Sequence, residues 1–398
     1  MAMVMVTRDC DIVVFGATGF TGRLAAEYLA EHLPPGARWA IAGRSARKLE
    51  AVRDGLGLPD LPILVADSAD PAALAKVAAS TRVLITTVGP YLKYGEALVK
   101  ACAEAGTDYL DLAAEQEFVD TMFVKYRTAA TANGARIVHS AGFDSVPHDL
   151  GTYFTVKHLP EDVPITVDGV VQTSADFSGG TYHTVVNYLA RLRQWRAAAR
   201  ARAAVEGRPT GRRSRNPSAW PARRFGLWLV PFPGVDGQNI AYSGRLLDRY
   251  RPDFTYRHWI GTRRFPAAAG IIGLAVTLLV GAQIKPLRSV LLRLKDSGAG
   301  PTEEVRARST FTATFHRTGG GRHVVCRVSG GNPGYTETAK ILGEAAMSLA
   351  FDDLPRTVGP VTPAAAMGDA LIDRLVRAGI TFELVEQRVE QRQAGSST

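Results

Sequence analysis

The chain has 398 residues, is 46% hydrophobic with a mean hydropathy near zero, and carries a net charge of +9. That length and composition exclude a disordered or fibrous protein and exceed one ordinary domain. Cys10, Cys102 and Cys326 are odd in number and far apart, which argues for buried thiols in a reducing cytoplasm and against a disulfide framework or a cysteine-zinc site. Residues 1–10 carry one basic side chain and no long apolar region, so no secretion signal is expected.

The first element is the apolar run Asp11–Phe15, a buried strand that leads into Gly16-Ala17-Thr18-Gly19-Phe20-Thr21-Gly22 and then an amphipathic helix reaching residue 32. A glycine-rich turn between strand and helix binds a dinucleotide, because the backbone can approach the pyrophosphate and the helix start offers unpaired amides. Gly16, Thr18, Gly19, Phe20, Thr21 and Gly22 are the candidate phosphate contacts. A second strand, Arg38–Ala42, runs into Gly43-Arg44-Ser45, with Arg47 and Lys48 behind it. An NAD enzyme places Asp or Glu at this strand end, whereas Arg suits a 2′-phosphate. Arg44 and Lys48 therefore point to NADP(H), with a solvated turn arginine as the competing reading.

Further strands are expected at Pro62–Ala66, ending in Asp67; at Arg82–Val88, ending in Gly89-Pro90-Tyr91; at Tyr109–Leu112, ending near Glu115; and at Ala135–Val138, ending near Gly142. Helical spacing fills 46–56, 70–79, 94–105 and 115–133. The alternation implies a parallel sheet covered on both faces, with ligands beyond the carboxyl ends of its strands. Asp67, Gly89, Pro90, Tyr91 and Gly142–Asp144 fall along that rim.

The motifs Phe15–Gly22, Ala42–Ser45, Val88–Tyr91 with Tyr94-Gly95, Tyr109–Leu112 with Glu115, and Gly142-Phe143-Asp144-Ser145-Val146-Pro147 with Asp149-Leu150 resemble the saccharopine dehydrogenase-like oxidoreductases. Within that group the chain is most similar to the actinobacterial trans-acting enoyl reductases, since Val361–Leu371 also matches their C-terminal helix. The resemblance covers both ends and is poorest between about 155 and 300. It implies a Rossmann-type NADP-binding domain, a second α+β domain for substrate and dimerisation, and a C-terminal helix returning to the first domain. It also implies reduction of a carbon–carbon double bond in a lipid or polyketide enoyl thioester, with an acyl carrier protein and a homodimer as expected partners. Domain limits of 1–150, 151–360 and 361–398 follow.

Residues 191–224 hold eleven arginines and one acid, Glu206, a net +10. Tyr182–Glu206 has helical spacing and Gly207–Arg224 reads as a loop. An acidic carrier protein, an anionic membrane surface or a merely solvated helix would each suit that charge; nucleic acid is disfavoured for want of a recognition motif. Phe265–Ile284 is twenty residues without a charge, flanked by Arg263-Arg264 and Lys285. Core packing, an interfacial helix or lipid tunnel, and a membrane span all fit, the span being least compatible with one globule. Then come a hairpin from Glu303–His316 and Arg322–Gly330 around Gly319–Gly321, helices at Thr336–Phe351 and Pro363–Ala378, a strand at Ile380–Val385, and a loose polar tail from Gln387. With Ile165–Thr173, these strands make the second sheet.

Enoyl reduction needs a hydride, a donor for the developing enolate oxygen and a proton for the α-carbon. Tyr91, Asp144 and Ser145 are the candidate catalytic residues; Tyr91 is the first choice of donor, with simple packing against the cofactor as its rival. No Ser/His/Asp triad, paired-carboxylate spacing or metal motif is visible. A cofactor-binding scaffold at a membrane or synthase, or a saccharopine dehydrogenase-type reductase, are the alternatives.

Overall fold

Strands buried on both faces need helices above and below, and the first third of the chain supplies them in strict alternation. The computed structural model describes residues 8–175, 179–207, 211–294, 302–318 and 321–389. In chain order come β1 (Cys10–Phe15), α1 (Phe20–His32), β2 (Trp39–Gly43), α2 (Ala46–Gly55), β3 (Ile63–Val65), α3 (Pro71–Ser80), β4 (Thr81–Thr86), α4 (Tyr91–Tyr94), α5 (Glu96–Ala105), β5 (Asp108–Asp111), α6 (Gln116–Asn133) and β6 (Arg136–Val138). The strands are parallel in the order β6-β5-β4-β1-β2-β3. The order reverses between β1 and β4, and a crevice opens there. Local chemistry sets the helix limits. Asp70 caps α3 by accepting from the Ala72 and Ala73 amides ahead of Pro71, while Gly106 and Gly134 end α5 and α6 in the left-handed conformation.

The rest of the chain builds a second sheet. It contributes α7 (Val146–Lys157), β7 (Ile165–Thr173), α8 (Gly179–Ala190), α9 (Leu192–Glu206), β8 (Arg213–Arg215), β9 (Ala222–Arg224), β10 (Leu227–Pro231), α10 (Val235–Leu246), β11 (Asp253–Thr262), α11 (Phe265–Gln283), α12 (Lys285–Arg293), α13 (Glu303–Arg308), β12 (Phe311–Thr318), β13 (Arg322–Gly330), α14 (Thr336–Phe351), β14 (Gly359–Pro360), α15 (Pro363–Ala366), α16 (Gly368–Arg377) and β15 (Thr381–Val389). The order is β15-β13-β12-β7-β11-β10-β9, with β8 beside β11. β7 and β11 pair in parallel and β12, β13 and β15 antiparallel.

The C-terminal part returns to the first sheet. β14 adds a parallel edge beside β6, with the Gly359 and Val361 amides donating to Ala135 O and Ile137 O at 2.7 and 3.1 Å. α14 packs on α1, where the Tyr28 hydroxyl donates to Glu344 Oε1 at 2.6 Å. One core unites Leu29 and Ile85 of the first sheet layer with Leu342 of α14 and Phe315 of β12.

Several local expectations change. Glu303–Arg308 is helical rather than extended; its acids occupy the first turn and its arginines the last, as the helix dipole favours. β12 therefore starts only at Phe311. Of the expected glycine turn, Gly319 and Gly320 lie outside the described residues. The basic loop contains β8 and β9, and Arg208 falls outside the described residues. The 363–378 helix breaks at Met367, where Gly368 takes a φ of +47°. Gln387–Val389 extends β15, and the tail beyond lies outside the described residues.

Candidate active site

The three glycines of the first turn have separate jobs. Gly16 has a φ of +92°, and a Cβ there would come 2.6 Å from Val88 Cγ2. At Gly22 a Cβ would fall 2.2 Å from Gly16 O, so this glycine lets α1 close onto the turn. Gly19 is the residue preceding α1, with φ −81° and ψ 163°, and a Cβ on it would meet only Gly16 O at 3.4 Å. Its open side faces the crevice, where the first amides of α1 are unpaired. This order of turn, approach and packing is what a pyrophosphate cradle requires.

Around the cradle lies a cavity of about 720 Å³ whose lining includes Gly19, Phe20, Thr21, Gly22, Gly89, Pro90, Tyr91 and Asp144. Thr18 is exposed beside it. Arg44 follows β2 at the same rim; it and Lys48 in α2 are exposed and make no ion pair or hydrogen bond among the described residues. Asp67 follows β3 and uses Oδ1 to accept from the Ala69 amide at 2.9 Å, so it shapes its own turn.

The candidate catalytic residues separate. Tyr91 is buried, and its hydroxyl donates to Thr86 O and accepts from the Leu112 amide, both at 3.1 Å. Desolvation holds this phenol well above its ordinary pKa. Its donor is thus committed to the backbone, and Tyr91 braces the crevice wall. Ser145 is fully buried, absent from the cavity lining, and accepts from Asn239 Nδ2 at 2.9 Å; it fastens α10 to the turn before α7. Asp144 does line the cavity. Burial raises its carboxyl pKa, and no cation pairs with it among the described residues.

Glu115 closes the same wall. Its Oε1 accepts from the Tyr91 amide at 3.1 Å, and desolvation, ahead of a smaller contribution from Asp111, pushes its pKa up to about 7. Because the folded value exceeds the unfolded one, the acid form is favoured by folding, and stability falls as pH rises from about 4.5 to 7. Glu115→Gln keeps the acceptor and cannot ionise. The variant apoprotein should melt above the parent at pH 8, by on the order of 2 kcal/mol, and match it near pH 5. Equal melting shifts at both pH values would contradict an uncharged Glu115.

Sequence reading missed the opposite wall. His183, Asn187 and Tyr188 of α8, then Arg191, then Trp195 of α9, line the cavity. The Tyr188 ring stands edge-on to Trp195 at 5.6 Å, and its hydroxyl makes no hydrogen bond among the described residues. Arg191 is held by both oxygens of Glu117 at 2.6 and 2.8 Å. Behind Asp144, His148 of α7, Asp236 of α10 and His258 of β11 converge, with ligand-type atoms all within 4.8 Å of one another. Theirs is the group of described side chains spaced closely enough to hold a metal ion. Burial alone lowers the His258 pKa to about 4; for Asp236, burial first and then the charge of Asp144 raise it strongly. Burial thus favours the uncharged form of all three groups, and they come from positions well separated in the chain, which no local motif announces.

The basic segment is also partly spent. Arg202 is buried against Asp120 and Glu206, Arg212 pairs with Asp248, and Arg215 with Asp253. Arg193, Arg196 and Arg200 of α9 remain exposed and unpaired among the described residues.

The fold and its cradle have known counterparts. The saccharopine dehydrogenase NADP-binding domain matches residues 12–138, and the cofactor is NADP(H). Apo saccharopine dehydrogenase (L-Glu forming) from Saccharomyces cerevisiae superposes with a TM-score of 0.53 at 13% identity, covering 95% of this chain and 99% of that one; at that identity the fold is what they share. A trans-acting enoyl reductase of Mycobacterium tuberculosis (strain ATCC 25618 / H37Rv) is 35% identical over 414 residues, 94% of this chain and 97% of its own. Another, from Mycobacterium ulcerans, is 34% identical over 409 residues with the same coverage. With relatives of that identity aligned from end to end, the chain belongs to the trans-acting enoyl reductase family, built on the saccharopine dehydrogenase fold.

Proposed function

We propose that this protein reduces the carbon–carbon double bond of a lipid or polyketide enoyl thioester, presented in trans, at the expense of NADPH. The observation that carries this reading is the cavity itself. It begins at the glycine cradle, passes Asp144 and ends on a wall of aromatic and basic side chains from α8 and α9. When bound, the cofactor supplies the hydride for the β-carbon. The chain must hold the enolate oxygen and protonate the α-carbon. Tyr188 is our choice for the first task, since its hydroxyl is uncommitted where that of Tyr91 is not. Asp144 takes the second: of the three acids lining the cavity, Glu115 is held by the Tyr91 amide and Glu117 by Arg191, whereas Asp144 has no such partner among the described residues, and solvent entering the cavity restores its proton. Tyr91 and Ser145 hold the walls.

Purified protein should consume NADPH when given a short enoyl thioester and release the saturated acyl product. Tyr188→Phe should lower kcat by about 10²–10³-fold, and Asp144→Asn by about 10²–10⁴-fold, with NADPH affinity unchanged. No NADPH consumption with carrier-linked or free enoyl thioesters would favour the scaffold reading.

We assign docking of an acidic acyl carrier protein to Arg193, Arg196 and Arg200, which extend from the cavity wall on the helix that holds Trp195. Exchange of all three for Ser should abolish capture of acyl carrier protein at low salt, and capture by the parent should fade as salt screens the charges over about 8–10 Å. Capture insensitive to both salt and substitution would remove this assignment. Contact with the inner face of the cell membrane is assigned to α11 and α12.

A further inference from the structure

α11 is 19 residues long, and by length and composition it is the described helix apolar enough to cross a membrane, yet little of it is buried. Ala268, Leu278, Gly281 and Ala282 form its single buried stripe. Phe265, Leu274, Val276, Leu279 and Val280 are all exposed, Phe265 by 58% and Val280 by 54%. Positions 273–277 are exposed consecutively, more than a full turn. The apolar surface therefore runs around most of the circumference. A flat protein partner, including a second copy of this chain, covers one face of a helix; a lipid phase covers them all.

α12 continues the surface with exposed Leu287 and Val290, followed by exposed Leu294 at its C-cap, and it folds back so that Leu291 lies under Gly281. Arg263 and Arg264 precede α11, Lys285 opens α12 at the turn, and Arg288 and Arg293 lie along α12; none is ion-paired among the described residues. β11 before the pair and β12 after it both bond to β7. Both ends thus return to one sheet, so the pair is a protrusion and not a span.

Its base is α8. Tyr182, Val185, Val186 and Leu189 of α8 pack with Leu278, Ala282, Leu291 and Leu292, and Gln283 donates to Leu189 O. The other face of α8 carries His183, Asn187 and Tyr188 into the cavity. One helix is therefore both the seat of the apolar hairpin and a wall of the substrate site.

We propose that α11 and α12 form a docking hairpin that enters one leaflet of an anionic lipid bilayer, and that α8 places the mouth of the substrate cavity at that surface. The identity of the substrate rests on the reduction proposed above; the docking does not. Apolar side chains supply the insertion and the five cations select anionic headgroups. The acyl chain of a lipid-like thioester then reaches the cavity without crossing water.

The full chain should cosediment with phosphatidylglycerol-containing vesicles and bind pure phosphatidylcholine vesicles about tenfold less well. Leu274→Asp combined with Val280→Asp should abolish vesicle binding while leaving reduction of a short, water-soluble enoyl thioester intact. Hydrogen exchange should slow in α11 and α12 on vesicle addition and change in α8. Absence of binding to anionic vesicles overturns the proposal, as does equal binding by the double variant. A dimer in solution that the double variant converts to monomers, without vesicle binding, would assign the face to a second copy instead. Unchanged exchange in α8 would overturn the link to the cavity. Vesicle binding without any enoyl reduction would sink the reaction and leave the docking standing.

Discussion

Gly19→Val should abolish NADPH binding while leaving the protein folded. Gly19 sits at φ −81° and ψ 163°, a conformation valine adopts readily, and its Cβ would meet only Gly16 O at ordinary contact distance. The isopropyl group would then stand over the first amides of α1, in the space that a pyrophosphate must enter. Thermal stability should change by less than about 1 kcal/mol. Gly22→Val is the contrasting case, since its Cβ would lie 2.2 Å from a backbone oxygen of the same turn and the helix cannot seat. Titration of NADPH fluorescence alongside thermal melting checks both. Binding retained in a folded Gly19→Val protein would show that the turn is a connection and nothing more.

Arg44→Ala should erase most of the preference for NADPH over NADH. Arg44 is exposed at the end of β2 and unpaired among the described residues, so nothing in the folded chain competes with a 2′-phosphate for its guanidinium. A charge-assisted contact of this type contributes about 1.5–3 kcal/mol, or roughly 10–150-fold in affinity. NADPH affinity should fall by that factor and NADH affinity should barely move. Equal affinities for the two cofactors in the parent protein would refute the assignment of Arg44.

The cradle was legible in the sequence because its requirements are local. Gly16, Gly19 and Gly22 must be spaced to suit one turn, and Arg44 follows the next strand by chain order alone. Tyr91 misled for the opposite reason. Its place after Gly89-Pro90 sets the backbone, but its hydroxyl is claimed by Thr86 O and by the Leu112 amide, and the second of these comes from another strand end. Tyr188 falls inside Tyr182–Glu206, whose helical spacing gives no sign of the break at Arg191 that separates α8 from α9. The arginine count between 191 and 224 gave the charge of the segment but not its use: Arg202 pairs with Glu206 one helical turn on, and Arg202, Arg212 and Arg215 are consumed by Asp120, Asp248 and Asp253, acids that long-range packing brings to them. Composition left the 265–284 run open between a core helix, an interfacial helix or lipid tunnel, and a span, and only the surrounding fold leaves its sides bare.

The edges of the two sheets bear on how the protein is made. β14, at Gly359–Pro360, is one edge strand of the first sheet, and β15, at Thr381–Val389, is one edge strand of the second. On the ribosome, the nucleotide-binding half emerges early with β6 unflanked and α1 lacking its cover from α14. It must wait for more than two hundred further residues before either is supplied. Unpaired strand edges of that kind invite association between nascent chains. Release after residue 355 should therefore yield insoluble protein rather than a shorter working enzyme, and in the intact chain the two halves should melt in one cooperative transition.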